Sequence, residues 1–97
     1  KPYLNPEFKI TDMARDLVSN RTYISAFINR EYGVNFNRFI NSYRLKEVER
    51  LHADAVQRKQ KIPVLEIVLH AGFSNYRSYF RAKNMVKNEA VAINQKM

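Results

Sequence analysis

Two short runs carry side chains that could act on a ligand. The first is Asn20, Arg21, Thr22, Ser25, Ala26 and Asn29; the second, fifty-five residues on, is Asn75, Tyr76, Arg77, Phe80 and Arg81. Offsets of one, four and five residues put each set on one face of a helix. The planar donor fork of arginine matches guanine O6 and N7 or a phosphate, and asparagine matches the adenine edge. Arg21 is therefore expected to read a guanine or to clamp a phosphate. Asn29 suits an adenine, and Thr22 or Ala26 a thymine methyl. Tyr76 and Phe80 fall on a face expected to meet water. They fit either thymine methyls or a protein partner, where aromatic anchors are common. Asn20 and Asn75 would cap helix N-termini and bring backbone N–H groups near phosphate.

Little else in the chain can do chemistry. There is no cysteine, which excludes disulfide scaffolds, thiol nucleophiles and cysteine zinc sites. Gly33 and Gly72 are the only glycines, too few for a glycine-rich phosphate loop. His52 and His70 stand far apart with no carboxylate cluster, so neither reads as a metal ligand. No nucleophile–base pair is visible. The expectation is no enzyme, no metal and no cofactor. No apolar run approaches the ~18 residues of a membrane span, so no membrane contact is expected. Lys plus Arg number 17 against 9 Asp plus Glu, a net charge of +8. Such an excess suits a polyanion, either nucleic acid or an acidic membrane face. Most of it falls after residue 34; the first third is nearly neutral.

The elements that would position these residues are helical. Ninety-seven residues make one domain, and no sustained two-residue alternation or Asn-Gly hairpin signal appears. Thr11 is expected to cap a two-turn helix with Met13, Ala14 and Leu17 on its apolar face. Asn20 (or Ser19) would cap a helix from Arg21 to about Glu31, and Gly33 suits the left-handed residue beyond its end. Asn35 would cap a longer helix to about Val56, with Phe36, Phe39, Ile40, Tyr43, Val48, Leu51 and Ala55 on one stripe and Arg38, Lys46, Glu49 and Arg50 opposite. Pro63 suits the first turn of a short helix, Val64 to His70. Ser74-Asn75 would cap a last clear helix through about Met85, with Val86 to Met97 ambiguous. Tyr23, Ile24, Phe27, Phe36, Phe39, Tyr43, Phe73 and Tyr79 are expected to form the core, and Arg44 to make an internal ion pair or lie on the helix surface. Arg58-Lys59-Gln60-Lys61 reads as a solvated loop. A short helix, a tight turn and a second helix thus occur twice, the order of a helix-turn-helix unit.

Several pieces in this order resemble the DNA-binding domain of the AraC/XylS-type transcription regulators. They are Asp12-Met13-Ala14, Arg21-Thr22-Tyr23-Ile24-Ser25, Tyr32-Gly33-Val34-Asn35-Phe36 with Phe39-Ile40, Arg44-Leu45, Ile62, Glu66-Ile67, Gly72-Phe73-Ser74-Asn75, and Tyr79 with Arg81. The resemblance implies an all-α fold with two helix-turn-helix subdomains, residues 10–34 and 62–85, joined by a linker helix over 35–57 and followed by a divergent C-terminal helix over 86–97. It implies sequence-specific binding of double-stranded DNA by two recognition helices in successive major-groove segments, without catalysis. Arg81 stands where the family's DNA-contacting arginine lies. The family further implies a cytoplasmic, DNA-associated bacterial regulator, a longer chain with an N-terminal sensing or dimerisation region, and RNA polymerase or other regulators as partners. Retained helix-turn-helix architecture without DNA reading, as a protein-interaction module, is the alternative.

Four departures stand out. Val18 occupies the usual glycine of the first turn; a left-handed backbone there would strain a β-branched residue by ~1–2 kcal/mol, unless the turn adopts another geometry. Lys83 replaces an aromatic core residue, so that either its stem lies on the core and its ammonium snorkels outward or the helix is re-phased. The family's glycine and proline before its last helix are missing from residues 87–91. Only Tyr3-Leu4 remains of its first helix.

Overall fold

A computed structural model describes residues 1–96, with side chains through residue 86. The fold is all-α. A single 3-10 turn, Pro2–Leu4, precedes α1 (Ile10–Asp16), α2 (Arg21–Tyr32), α3 (Phe36–Gln57), α4 (Val64–His70) and α5 (Tyr76–Lys96). The last helix continues past Met85 without a break, because no glycine or proline follows Gly72 to stop it. The separate terminal helix expected over residues 86–97 is instead a continuation of α5, with Met97 outside the described residues.

Local chemistry sets the helix ends. The Oδ1 atoms of Asn20, Asn35 and Asn75 each accept a bond from the N–H three residues on, at 2.9, 2.9 and 2.8 Å. These bonds satisfy donors that a helix start leaves open. α1 begins earlier than expected: Lys9, not Thr11, is its cap residue. The carboxylate of Asp12 reaches back to accept from the Lys9 N–H at 2.8 Å, so the acid rather than the threonine hydroxyl fixes this start. Gly33 closes α2 in the left-handed region, with its N–H bonded to Asn29 O at 2.9 Å.

α1, α3 and α4 end alike. In each, the residue after a left-handed one donates its N–H five positions back: Ser19 to Ala14, Gln60 to Ala55 and Phe73 to Val68. The left-handed residues are Val18 (φ 52°), Lys59 (φ 56°) and Gly72 (φ 102°). The first turn thus keeps the geometry that favours glycine despite carrying valine. Val18 is 94% exposed, so no packing offsets the strain. Gly72 meets a different constraint. A Cβ there would lie 2.1 Å from Tyr3 O and 2.9 Å from Leu4 Cα, because the N-terminal turn rests directly on it.

Arg44 locks that contact. Its Nε donates to Tyr3 O at 2.7 Å and its Nη2 to Asn5 O at 3.0 Å. The expected ion pair or surface position is thereby corrected: this guanidinium holds backbone carbonyls, and partial burial lowers its pKa. Nearby, Glu47 is a buried carboxylate that the helix stripe did not reveal. It pairs with Arg50 Nε and with Lys1 Nζ, the latter at 3.3 Å.

The apolar packing falls into two clusters threaded on α3. Ala14, Ile24 and Ile28 are buried between α1 and α2, with Phe36 and Phe39 of α3 against them. Val48 joins Ile67, Val68, Ala71, Phe73, Tyr79 and Ala82 in the second, with Leu45 and Leu51 alongside. Three expected core aromatics lie further out. Tyr23 is 59% exposed, Phe27 is 37% and Tyr43 is 38%. Seven-residue α1 is too short to cover more than the Ile24–Ile28 stripe, and Leu17 at its end is exposed too. Tyr43 is half covered by stacking on Tyr3, ring centroids 5.5 Å apart.

Three stability predictions rest on these contacts. Val18→Gly should raise stability by up to about 1 kcal/mol, relief of strain outweighing the added chain entropy. Gly72→Ala should lower it, because backbone must move; paired thermal melts give opposite signs. Glu47 titrates below the ordinary carboxylate value, chiefly through its bond from Arg50, with burial opposing. A depressed folded-state pKa contributes stability above the unfolded value of about 4.5 that is lost as pH falls through the folded one. Glu47→Gln should therefore be less stable than the parent near pH 7, with the gap closing below pH 4.5 in denaturant titrations at several pH values.

Candidate functional site

α2 turns Ile24 and Ile28 inward, which sends the residues between them outward. Arg21, Thr22, Ser25, Ala26 and Asn29 are all exposed and line one shallow surface depression together with Arg30. Sequence reasoning did not include Arg30, although it lies one turn beyond Ala26 on the same face. Its Nε pairs with Glu31 at 3.2 Å, and its guanidinium sits 5.7 Å from the Phe27 ring centroid.

α5 buries Tyr79 and Ala82 and presents Tyr76, Arg77, Phe80 and Arg81. Tyr76 and Phe80 are 47% and 50% exposed. Their rings stack at 6.3 Å with 23° between planes, and Tyr76 also leans on Tyr79 at 5.6 Å. Tyr79 meets the buried Phe73 edge-on at 5.6 Å. An unbroken aromatic ladder thus runs from the core to the surface. Lys83 lies exposed with its Nζ 5.9 Å from the Tyr79 ring centroid. The ammonium lies over the ring face, and Ala82 takes the buried position beside it.

Two separate faces result, each gathering exposed side chains expected of it. Asn20 and Asn75 cap these helices as expected: their Oδ1 atoms accept from the backbone N–H of Tyr23 and of Ser78. The first turns of α2 and α5 contain no acidic residue, whereas those of α1 and α4 carry Asp12 and Glu66. Arg21, Arg77 and Arg81 have no hydrogen-bond or ion-pair partner among the described residues. Both faces therefore combine uncompensated cations with the positive end of a helix dipole, an arrangement that attracts anions.

A further concavity lies elsewhere. A groove of about 290 Å³ between α3 and α5 is lined by Tyr32, Phe39, Leu45, Ala82, Met85 and Val86, among others. Among the described residues no carboxylate, histidine or cysteine lines it. Among the described residues no cluster of His, Cys, Asp or Glu could hold a metal ion. No described helix is long and apolar enough to cross a membrane.

No protein-family model matches the chain, and no curated protein matches it. A solved structure of a protein of unknown function from Listeria innocua is similar to it, with a TM-score of 0.65 and 18% identity over 82% of this chain and 70% of that one. The likeness extends to the fold.

The two asparagine caps hold both faces in register. Asn20→Ala and Asn75→Ala should each cost about 0.5–2 kcal/mol, read as a fall in unfolding midpoint, while Asn→Asp at either position should largely preserve it.

Proposed function

We propose that this chain is a sequence-specific double-stranded DNA-binding domain of a bacterial transcription regulator, of the AraC/XylS type that its motifs resemble. The observation that carries the reading is the repeated face: a helix capped by asparagine, preceded by a short helix and a left-handed turn, presenting to solvent arginines without a partner among the described residues. In this reading α2 and α5 are the recognition helices of two helix-turn-helix units. α3, with 22 residues, measures roughly 33 Å at 1.5 Å per residue. One turn of B-DNA is about 34–36 Å, so a rigid spacer of this length suits two helices docked in successive major-groove segments. Arg21 and Arg81 read guanine or grip phosphate, Asn29 reads adenine, and Thr22 or Ala26 meets a thymine methyl. The domain acts in the cytoplasm on DNA, as part of a longer chain with a sensing or dimerisation region, and meets RNA polymerase or other regulators. It performs no catalysis.

A second reading has one observation in its favour. Val64, Leu65 and Leu69 are about half exposed on α4, an apolar face that suits a protein-interaction module with DNA reading lost.

Selection from random duplexes at near-physiological salt separates the two. Non-specific phosphate binding sits at roughly 10⁻⁴–10⁻⁶ M there, so enrichment requires base readout. Two enriched blocks one helical turn apart are expected; no enrichment, with binding that vanishes as salt rises, would favour the interaction module. Arg81→Ala should lose ~1–3 kcal/mol and relax one or two positions if it reads bases. A uniform loss across sequences with a shallower salt slope makes it a phosphate clamp.

A further inference from the structure

The two faces sit at the same offsets from their capping asparagines, yet their chemistry differs. Counting from the cap, Arg21 corresponds to Tyr76, Thr22 to Arg77, Ser25 to Phe80 and Ala26 to Arg81. The α2 face is dominated by hydrogen-bonding groups. The α5 face sets a half-exposed aromatic pair beside two arginines that have no partner among the described residues. We infer that the α5 face recognises a thymine-bearing step of duplex DNA, with the thymine 5-methyl seated against the Tyr76–Phe80 ring pair and Arg77 and Arg81 engaging the flanking base edge or phosphates. This deepens the DNA-binding reading and rests on it.

Three features point to a methyl group. First, the rings are not loose. Phe73 is 2% exposed and Tyr79 is 9%, and Tyr76 is braced against Tyr79 and Phe80 at 5.6 and 6.3 Å. An apolar surface braced from the core loses little side-chain freedom on binding. Second, the rings stack on each other at 23°, so the inner ring faces are partly taken and the pair offers mainly edges and one outer face. That shape suits a small apolar knob better than an intercalated base. Third, arginines one residue after each ring draw the face to a polyanion. On the major-groove edge of DNA the thymine 5-methyl is the apolar group, amid donors and acceptors.

The test uses duplexes carrying the enriched block, prepared with thymine and with deoxyuridine. Uracil has the same hydrogen-bonding edge and lacks only the methyl. Parent protein should bind the uracil duplex about fourfold more weakly for each methyl seated, taking ~0.8 kcal/mol per buried carbon. Phe80→Asn should erase that difference for thymines of the block read by α5, and Phe80→Leu should retain part of it. Phe80 is half exposed, so these variants should fold, as circular dichroism would verify. Equal affinity of the parent for both duplexes, with sequence preference intact, overturns the methyl inference and leaves DNA reading standing. A uracil penalty that Phe80→Asn does not reduce also overturns it, since the methyl is then read elsewhere. Failure of the parent to prefer any duplex overturns the DNA-binding reading and this inference with it.

Discussion

α3 is the element on which the rest depends, because neither helix pair has a sufficient core without it. α1 and α4 have seven residues each, well short of the length at which a helix persists alone in water. Each is stabilised only by packing, and α3 contributes to both clusters: Phe36 and Phe39 to one, Leu45, Val48 and Leu51 to the other. The N-terminal turn reinforces its middle. Arg44 grips two carbonyls of that turn, Glu47 pairs with Lys1, and Gly72 admits the turn's backbone against the end of α4. This ties α3, α4 and the N-terminal segment into one knot, and Gly72 is required there by close approach as well as by its positive φ.

Much of the framework was legible because it is written locally. An asparagine before a helical run caps through its own side chain, so Asn20, Asn35 and Asn75 marked three helix starts correctly. Gly33 and Gly72 marked two ends for an equally local reason. The ends at Val18 and Lys59 were harder, because the same left-handed motif is built there from residues that disfavour it. The buried Glu47 could not be read at all. Its burial depends on a chain segment more than forty residues away, and from periodicity alone a glutamate between Tyr43 and Leu51 is simply polar.

The aromatic residues show where periodicity misleads. Tyr23, Phe27 and Tyr43 have helical spacing but sit at the rims of clusters too small to enclose them. Spacing gives a direction from the helix axis; only the length and position of the neighbouring helix decide how wide a stripe is covered. The same reasoning explains the contrast between the two outward faces. α2 buries the compact Ile24 and Ile28, so its aromatics remain peripheral. α5 buries Tyr79 at the position equivalent to Ile24, and that ring extends the core outward to Tyr76 and supports Lys83. Lys83 thus rests on the ring one turn before it.

Charge is distributed in the same deliberate fashion. Arg15 pairs with Asp12, Arg30 with Glu31, Arg50 with Glu47 and Arg58 with Asp54, so each of these adds little net field at its own position. Arg44 is consumed by backbone carbonyls. Arg21, Arg77 and Arg81, which have no acidic partner among the described residues, lie on the outward faces of α2 and α5. The net charge of +8 is a total over the whole chain. Screening at physiological salt limits exposed charges to about 8 Å of reach, so local arrangement outweighs the total. Cations without an acidic partner among the described residues, beside helix N-termini whose first turns hold no acid, make those two faces favourable to anions.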